Sequence, residues 1–361
     1  MSSRSSDILF LLGAGASVDA GIPASATMIR EIETLLNNNH EWKSFHDLYN
    51  HVKSSIHFSA GLKGRFNDAV LFNVETLANA LYELERNEEH TLYPFIAAWH
   101  SRFATLAGPR FEQITRFRKL ILGQLKKWMC PDLITSSEYY QGLTRLQADL
   151  NYSLHIFSLN YDLCVERLGT NGFRVESGFP GYGTDMTWDW ERFEQGGERT
   201  DLPNIYLYKI HGSVDWKRDL NQSLYRVEQV ATVDTDNMEI IFGRDFKLDA
   251  ADPYLFYAYE FRRFALSARM IVTIGYSFSD DHINKMIAQA LRANAERKLL
   301  VVGKYDTENQ CEKRRKELSK SLAIHLNRVV VFKGSAKSFF EQESINTYLN
   351  DALPAPVDSP F

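Results

Sequence analysis

The chain has 361 residues, 44% of them hydrophobic, enough to bury the core of one large α/β domain carrying an insertion, or of two domains. A formal charge of −5 at pH 7 gives no whole-molecule basic field, which argues against direct, indiscriminate nucleic-acid binding. The three cysteines, Cys130, Cys164 and Cys311, are scattered without a CxxC pair; this excludes a disulfide framework and a four-thiolate zinc site and fits a reducing cytoplasm.

One arginine, Arg4, precedes the apolar run Ile8 to Leu12, which is too short for a signal segment or a membrane span, so a protein with no membrane partner is expected. The same run ends in glycines and reads as a strand buried on both faces of a parallel sheet, its following loop at the carboxyl-end crevice. After Pro23 the spacing of Met28, Ile29, Ile32, Leu35 and Leu36 is helical. From about His40 to Leu150 strand signals fade, and Val74 to Leu84, Leu92 to Phe103 and Phe111 to Met129 carry helical periodicity.

Strand-like runs resume at Ser153 to Leu159, Ile205 to Ile210, Glu239 to Phe242, Met270 to Ile274, Leu299 to Val302 and Val329 to Phe332. Helices are predicted over Pro253 to Ser267, Asp281 to Ala293, Glu308 to Leu322 and Ser335 to Leu349. The alternation is that of an α/β fold, a doubly wound Rossmann-like parallel sheet with a helical insertion. The expected division is residues 1–38 with 151–350 as the sheet domain, 39–150 as the insertion and 351–361 as a flexible tail.

Four motifs follow predicted strands. Gly13-Ala14-Gly15-Ala16-Ser17, with Gly21-Ile22-Pro23 behind it, would let backbone amides approach a pyrophosphate, the next helical turn adding its positive end. The dehydrogenase fingerprint fits poorly, because Val18 stands at its third glycine position; a tight turn without ligand is the bland alternative. Asn160-Tyr161-Asp162 sets a carboxamide and a carboxylate just past a strand end, or else forms an Asx turn capping a helix from about Leu163. Lys209-Ile210-His211-Gly212 exposes an imidazole suited to general-base work, although a lone histidine is more often structural. Gly275-Tyr276-Ser277 would bring Ser277 and backbone amides to a ribose or phosphate, and Asp280 or Asp281 reads as the cap of the next helix.

Other features carry less. His40, His46, His51 and His57 lack the i, i+4 spacing of a metal face. The Lys313-Arg314-Arg315-Lys316 run reads as a solvated helix face rather than a nucleic-acid site. Trp188, Trp190 and Phe193 read as sheet packing or as a lid over the site.

Taken in order, GAG-x-S at Gly13 to Ser17, GIP at Gly21 to Pro23, N-x-D at Asn160 to Asp162 and HG at His211 and Gly212 resemble the landmarks of the sirtuin-like (silent information regulator two-like) family. Gly275-Tyr276-Ser277 looks like that family's ribose-contacting turn. The resemblance covers Ile8 to about Asn284, excluding the insertion. Two departures stand out: the cysteine pairs that hold structural zinc in sirtuin deacylases are missing, and Ala24, Ser25 and Ala26 replace the acidic residue, aromatic and arginine that follow GIP. In both respects the chain looks like bacterial sirtuin-like antiphage defence proteins, which consume NAD.

That resemblance implies an NAD glycohydrolase with no zinc, NAD being substrate rather than cofactor. Asn160, Asp162 and His211 are then the catalytic residues, and Gly13, Ala14, Gly15, Ala16, Ser17, Gly21, Ile22, Pro23, Gly275 and Ser277 the NAD-binding ones. It also implies a homo-oligomer and a defence partner such as a HerA-type ATPase. A zinc-free NAD-dependent deacylase and an NAD or ADP-ribose sensing module remain the alternatives.

Overall fold

The computed structural model describes residues 7–66, 72–85, 101–108, 111–130, 134–169, 172–180, 187–194, 202–219, 222–227, 230, 233, 238–240, 252–343 and 345–353. Its centre is a seven-stranded sheet in the order β10-β9-β8-β1-β2-β4-β3, with neighbouring strands parallel throughout. The strands are β1 (Ile8–Leu12), β2 (Leu154–Ser158), β3 (Val175–Glu176), β4 (Ile205–Lys209), β8 (Met270–Ile274), β9 (Lys298–Val302) and β10 (Val329–Phe332). The chain winds from β1 toward β2 and β4 on one side and later returns to β8 on the other. That reversal opens a crevice at the carboxyl ends of the strands beside β1.

Side-chain alternation explains the continuous apolar runs. Ile8, Phe10, Leu12, Ile156, Val272 and Leu300 point to one face, while Leu9, Leu11, Phe157, Tyr208, Ile271 and Val301 point to the other. Both faces are covered, so no position along these strands can be polar without a partner.

The first face is covered by α1 (Ser25–Asn38), α2 (His40–Lys43), α3 (His46–Leu62), α4 (Val74–Glu85), α5 (Ser101–Ala107), α6 (Glu112–Met129) and α7 (Gln141–Leu150). Between β1 and β2 the described elements are all helical. Leu77, Leu81, Ile114, Phe117 and Ile121 share one buried cluster with the strands, so these helices form a layer of the sheet's own core. The stretch 92–100 of the predicted helix Leu92 to Phe103 lies outside the described residues, as does the tail from Pro354. The second face is covered by α8 (Tyr254–Ser267), α9 (Asp281–Ala293) and α10 (Glu308–Leu322).

Capping fixes several boundaries that periodicity alone places. The Asp280 carboxylate accepts from the His282 and Ile283 amides and starts α9. Thr307 and Gln310 form a capping box at α10, which ends on Ala323 in the left-handed region, relieving unpaired terminal groups.

Three expectations are corrected. The run Glu239 to Phe242 is not part of the parallel sheet: β7 (Met238–Ile240) pairs antiparallel with β5 (Gly212–Arg218), which also pairs with β6 (Leu224–Arg226), and 241–242 lie outside the described residues. A short apolar run does not reveal its partner, and β5, which follows His211 immediately, supplies one. No α-helix starts near Leu163; the chain makes a turn and one 3₁₀ segment, Glu166–Leu168. The predicted helix Ser335 to Leu349 is two, α11 (Ala336–Phe340) and α12 (Ile345–Ala352). On one straight helix Phe340 and Ile345 would be about 140° apart, whereas both are buried in the same cluster.

Candidate active site

The loop after β1 is not a helix start. Two 3₁₀ turns, Ala14–Ala16 and Val18–Ala20, precede α1, which begins at Ser25. The amides of Gly13, Gly15, Ala16 and Ser17 donate to Ile274, Gly275, Gly13 and Ala14 carbonyls; the Ala14 amide is not among these donors. A Cβ on Gly13 would lie 2.7 Å from Tyr276 Cα, and one on Gly15 2.9 Å from Gly275 Cα. The glycines are therefore required by backbone packing between the loops after β1 and β8. Four of the five amides expected to cradle a pyrophosphate are already bonded, Gly13 and Gly15 across to Ile274 and Gly275, Ala16 and Ser17 within the loop's own turns. Gly275 itself sits at φ +67° with a would-be Cβ 1.9 Å from Ala16 N, a position only glycine fills.

Buried Ser17 organises the next group. Its Oγ donates to Asp162 Oδ2 at 2.7 Å, lies 2.9 Å from the Tyr140 hydroxyl and accepts from Asn160 Nδ2 at 3.2 Å. Asp162 Oδ1 accepts from the Cys164 amide at 3.0 Å, an Asx turn with no α-helix behind it. Both Asp162 oxygens are thus committed, and the residue buttresses Asn160 through Ser17. The Asn160 side chain is buried, yet Oδ1 has no hydrogen-bond partner among the described residues. A desolvated carbonyl oxygen of this kind costs about 1–3 kcal/mol unless a ligand or water donates to it.

His211 ends the crossing from β4 into β5. Gly212 at φ +87° turns the chain there, and His211 is only 8% exposed. His211 Nε2 is 3.2 Å from Asp280 Oδ2. Burial alone would raise the Asp280 carboxyl, but the bonds from His211 and the Ile283 and His282 amides hold it below the usual range. An ionised carboxylate only accepts, so Nε2 carries the proton and Nδ1 is left as the basic nitrogen. Beneath the site, fully buried Lys209 donates to the Asp162 carbonyl and to Glu166 Oε1. Burial raises the Glu166 carboxyl, Lys209 opposing it.

A pocket with about 380 Å³ of free space, part of it open to solvent, lies where these loops meet the helical layer. Ala14, Ile22, Pro23, Asn160, Tyr161 and Asp162 line it from the sheet side. Val74 and Glu75 of α4 and Leu125 and Met129 of α6 close it from the helical layer. Tyr161 joins pocket to histidine, its ring 6.5 Å from that of His211. Glu75 is raised by burial, His211 opposing and Asp280 reinforcing the shift.

Residues 154–325, which include Asn160, Asp162, His211 and Gly275, match the SIR2-like domain family. That stretch, a little under half of the chain, is similar to the SIR2-like domain. Among solved structures it is similar to a mutant Sir2 homologue in complex with 2′-O-acetyl ADP ribose, at 12% identity over 97% of this chain and 94% of that one, TM-score 0.43. It is also similar to a Sir2 homologue in complex with NAD, at 11% identity over 96% and 90%, TM-score 0.43. A third is Sir2Tm bound to a propionylated peptide, at 13% identity over 92% and 90%, TM-score 0.38. No curated protein matches this chain.

The sequence motifs converge unevenly. Ser17, Asn160 and Asp162 form one bonded group, and Ala14, Ile22 and Pro23 share their pocket. Gly21, at φ +88° with open space around it, only turns the chain. Ser277 is exposed and bonds to Ser279 rather than facing the pocket, while Arg314 donates to its carbonyl at 2.9 Å. Arg314 thus belongs to this turn and not wholly to a solvated face. Trp188 donates to the Tyr257 hydroxyl at 2.8 Å and Phe193 packs on Tyr208, so both pack, whereas Trp190 is 42% exposed. Tyr140, Glu75 and the pairing of Asp280 with His211 have no sequence motif to announce them. Among the described residues no helix could cross a membrane and no cluster has the makings of a metal site.

Proposed function

We propose that the chain hydrolyses the nicotinamide–ribose bond of NAD, giving nicotinamide and ADP-ribose. The observation that carries the reading is Asn160: a buried carboxamide with an unpartnered Oδ1, opening on a largely apolar pocket next to a carboxylate-held histidine. A pyridinium nucleoside suits such a pocket, a ribose hydroxyl or the attacking water supplying the donor that Oδ1 lacks.

As the C1′–N bond breaks, its electron pair passes to the ring nitrogen and positive charge passes to the ribose. Water then adds at C1′ and releases its proton to His211 Nδ1, while Asp280 holds the ring and the imidazolium that forms. Asn160 orients the ribose hydroxyls or the water, with Ser17 and Asp162 as its support. The phosphates take the Ala14 amide and the open side of the loop. The three cysteines offer no paired set for zinc, and the reading needs none. The resemblance adds an NAD-depleting role in antiphage defence, a homo-oligomer and a partner such as a HerA-type ATPase to the proposal.

The test incubates purified protein with NAD, with and without an acetylated peptide and candidate partners, and follows nicotinamide and ADP-ribose. Equimolar release of both without peptide supports hydrolysis. Release that requires the peptide supports deacylation, and binding that leaves NAD intact supports a sensing module.

A further inference from the structure

Glu75 is the second residue of α4, so the helical layer sets it on the wall of the pocket facing Asn160, Tyr161 and Asp162. Its neighbours on that wall, Val74, Leu125 and Met129, are apolar and give a carboxylate no compensation. Burial of an acid in such surroundings is unfavourable unless a cation or donors meet it. Of the groups that act on it, His211 alone can be cationic, and its Nε2 is occupied by Asp280, which repels Glu75. The other pocket carboxylate, Asp162, has both oxygens engaged by Ser17 and Cys164. Glu75, half-buried, thus stands on the pocket wall among apolar side chains with no cation beside it on that wall.

We propose that Glu75 is a catalytic residue contributed by the helical layer, and that its carboxylate faces the positive charge of a pyridinium nucleotide as that charge moves from ring to ribose. The inference rests on the NAD-cleaving reading and names a further residue for it. No bond to Glu75 forms. The C1′–N electron pair leaves with nicotinamide, Glu75 compensates the charge on C1′ and the ring oxygen, and the attacking water gives its proton to His211. Glu75 shares the pocket wall with Asn160 and Tyr161 and is acted on by His211 and Asp280, so the proposal sets it on the ribose side, where the water meets His211. There a carboxylate favours the transition state over the bound ground state.

Glu75→Gln keeps the shape and removes the charge, and Glu75→Asp keeps the charge on a shorter stem. Nicotinamide release should fall about 100-fold in Glu75→Gln, the scale of losing one electrostatic stabiliser, and be partly restored in Glu75→Asp. Calorimetry with ADP-ribose, which lacks the pyridinium, should give wild-type affinity in both, and melting temperatures should match wild type. Wild-type turnover in folded Glu75→Gln overturns the inference and leaves the NAD-cleaving reading intact. An equal loss in Glu75→Asp and Glu75→Gln, with ADP-ribose affinity lost too, overturns it in favour of a structural role. A wild-type protein that releases no nicotinamide under any condition overturns both.

Discussion

Replacing Ser17 by alanine tests the group that supports Asn160. Ser17 is 0% exposed, and its hydroxyl serves Asp162, Tyr140 and Asn160 at 2.7, 2.9 and 3.2 Å. Its bond to the carboxylate is charge-assisted and worth about 1.5–3 kcal/mol, and Asp162 Oδ2 would be left desolvated and unpaired. The hydroxyl of fully buried Tyr140 would lose a partner worth about 1 kcal/mol. These losses are not independent, and their sum is about 3 kcal/mol. Urea unfolding should show that loss with an unchanged slope. In a chain of this size the melting temperature should fall by roughly 4 °C. Nicotinamide release should fall as well, because Asn160 Nδ2 loses its anchor. A loss under about 1 kcal/mol, below the cost of one unsatisfied buried group, would refute the reasoning, showing that the network is not held through Ser17.

Gly275→Ala forces a left-handed residue and a Cβ 1.9 Å from Ala16 N; it should cost at least about 3 kcal/mol in urea unfolding, combining backbone and overpacking costs. Any loss of NAD binding by this variant, or by Gly13→Ala, should come with a lower melting temperature; loss of binding at wild-type stability would contradict the packing reading. His155, stacked on Tyr206 and tilted against Phe264, is depressed by burial to about 3. The unfolded chain therefore binds the proton first, near pH 6.5, and stability falls as pH drops below that value by up to about 1.4 kcal/mol per unit until the folded pKa is reached. The drop in unfolding free energy between pH 7 and 5 should be about 2 kcal/mol smaller in His155→Phe; identical drops would show that His155 does not set it.

The sequence reveals the sheet because burial on both faces makes each central strand a continuous apolar run. Ile8 to Leu12 and Met270 to Ile274 coincide with β1 and β8, and Asp281 to Ala293 coincides with α9 because Asp280 caps it. Asn160 and His211 are legible for the same reason, being polar residues just past strand ends, where an open sheet presents them. Gly13 and Gly15 are legible as positions without room for a side chain. What takes the room is the loop after β8, and no local pattern records that. Tyr140 lies 123 residues from Ser17 in the chain, and Glu75 sits in the first turn of an ordinary amphipathic helix. Their roles arise from how the helical layer docks on the sheet, a tertiary fact to which periodicity is blind.

The central claim is that Asn160 and His211 act on NAD rather than hold the fold. The direct measurement is nicotinamide release by wild type, Asn160→Ala and His211→Ala, each confirmed as folded by circular dichroism and melting and tested for NAD binding by calorimetry. The account predicts a loss of about 100-fold or more in both variants, the scale of a lost general base or orienting group, with NAD still bound. Folded variants that release nicotinamide at the wild-type rate would contradict it.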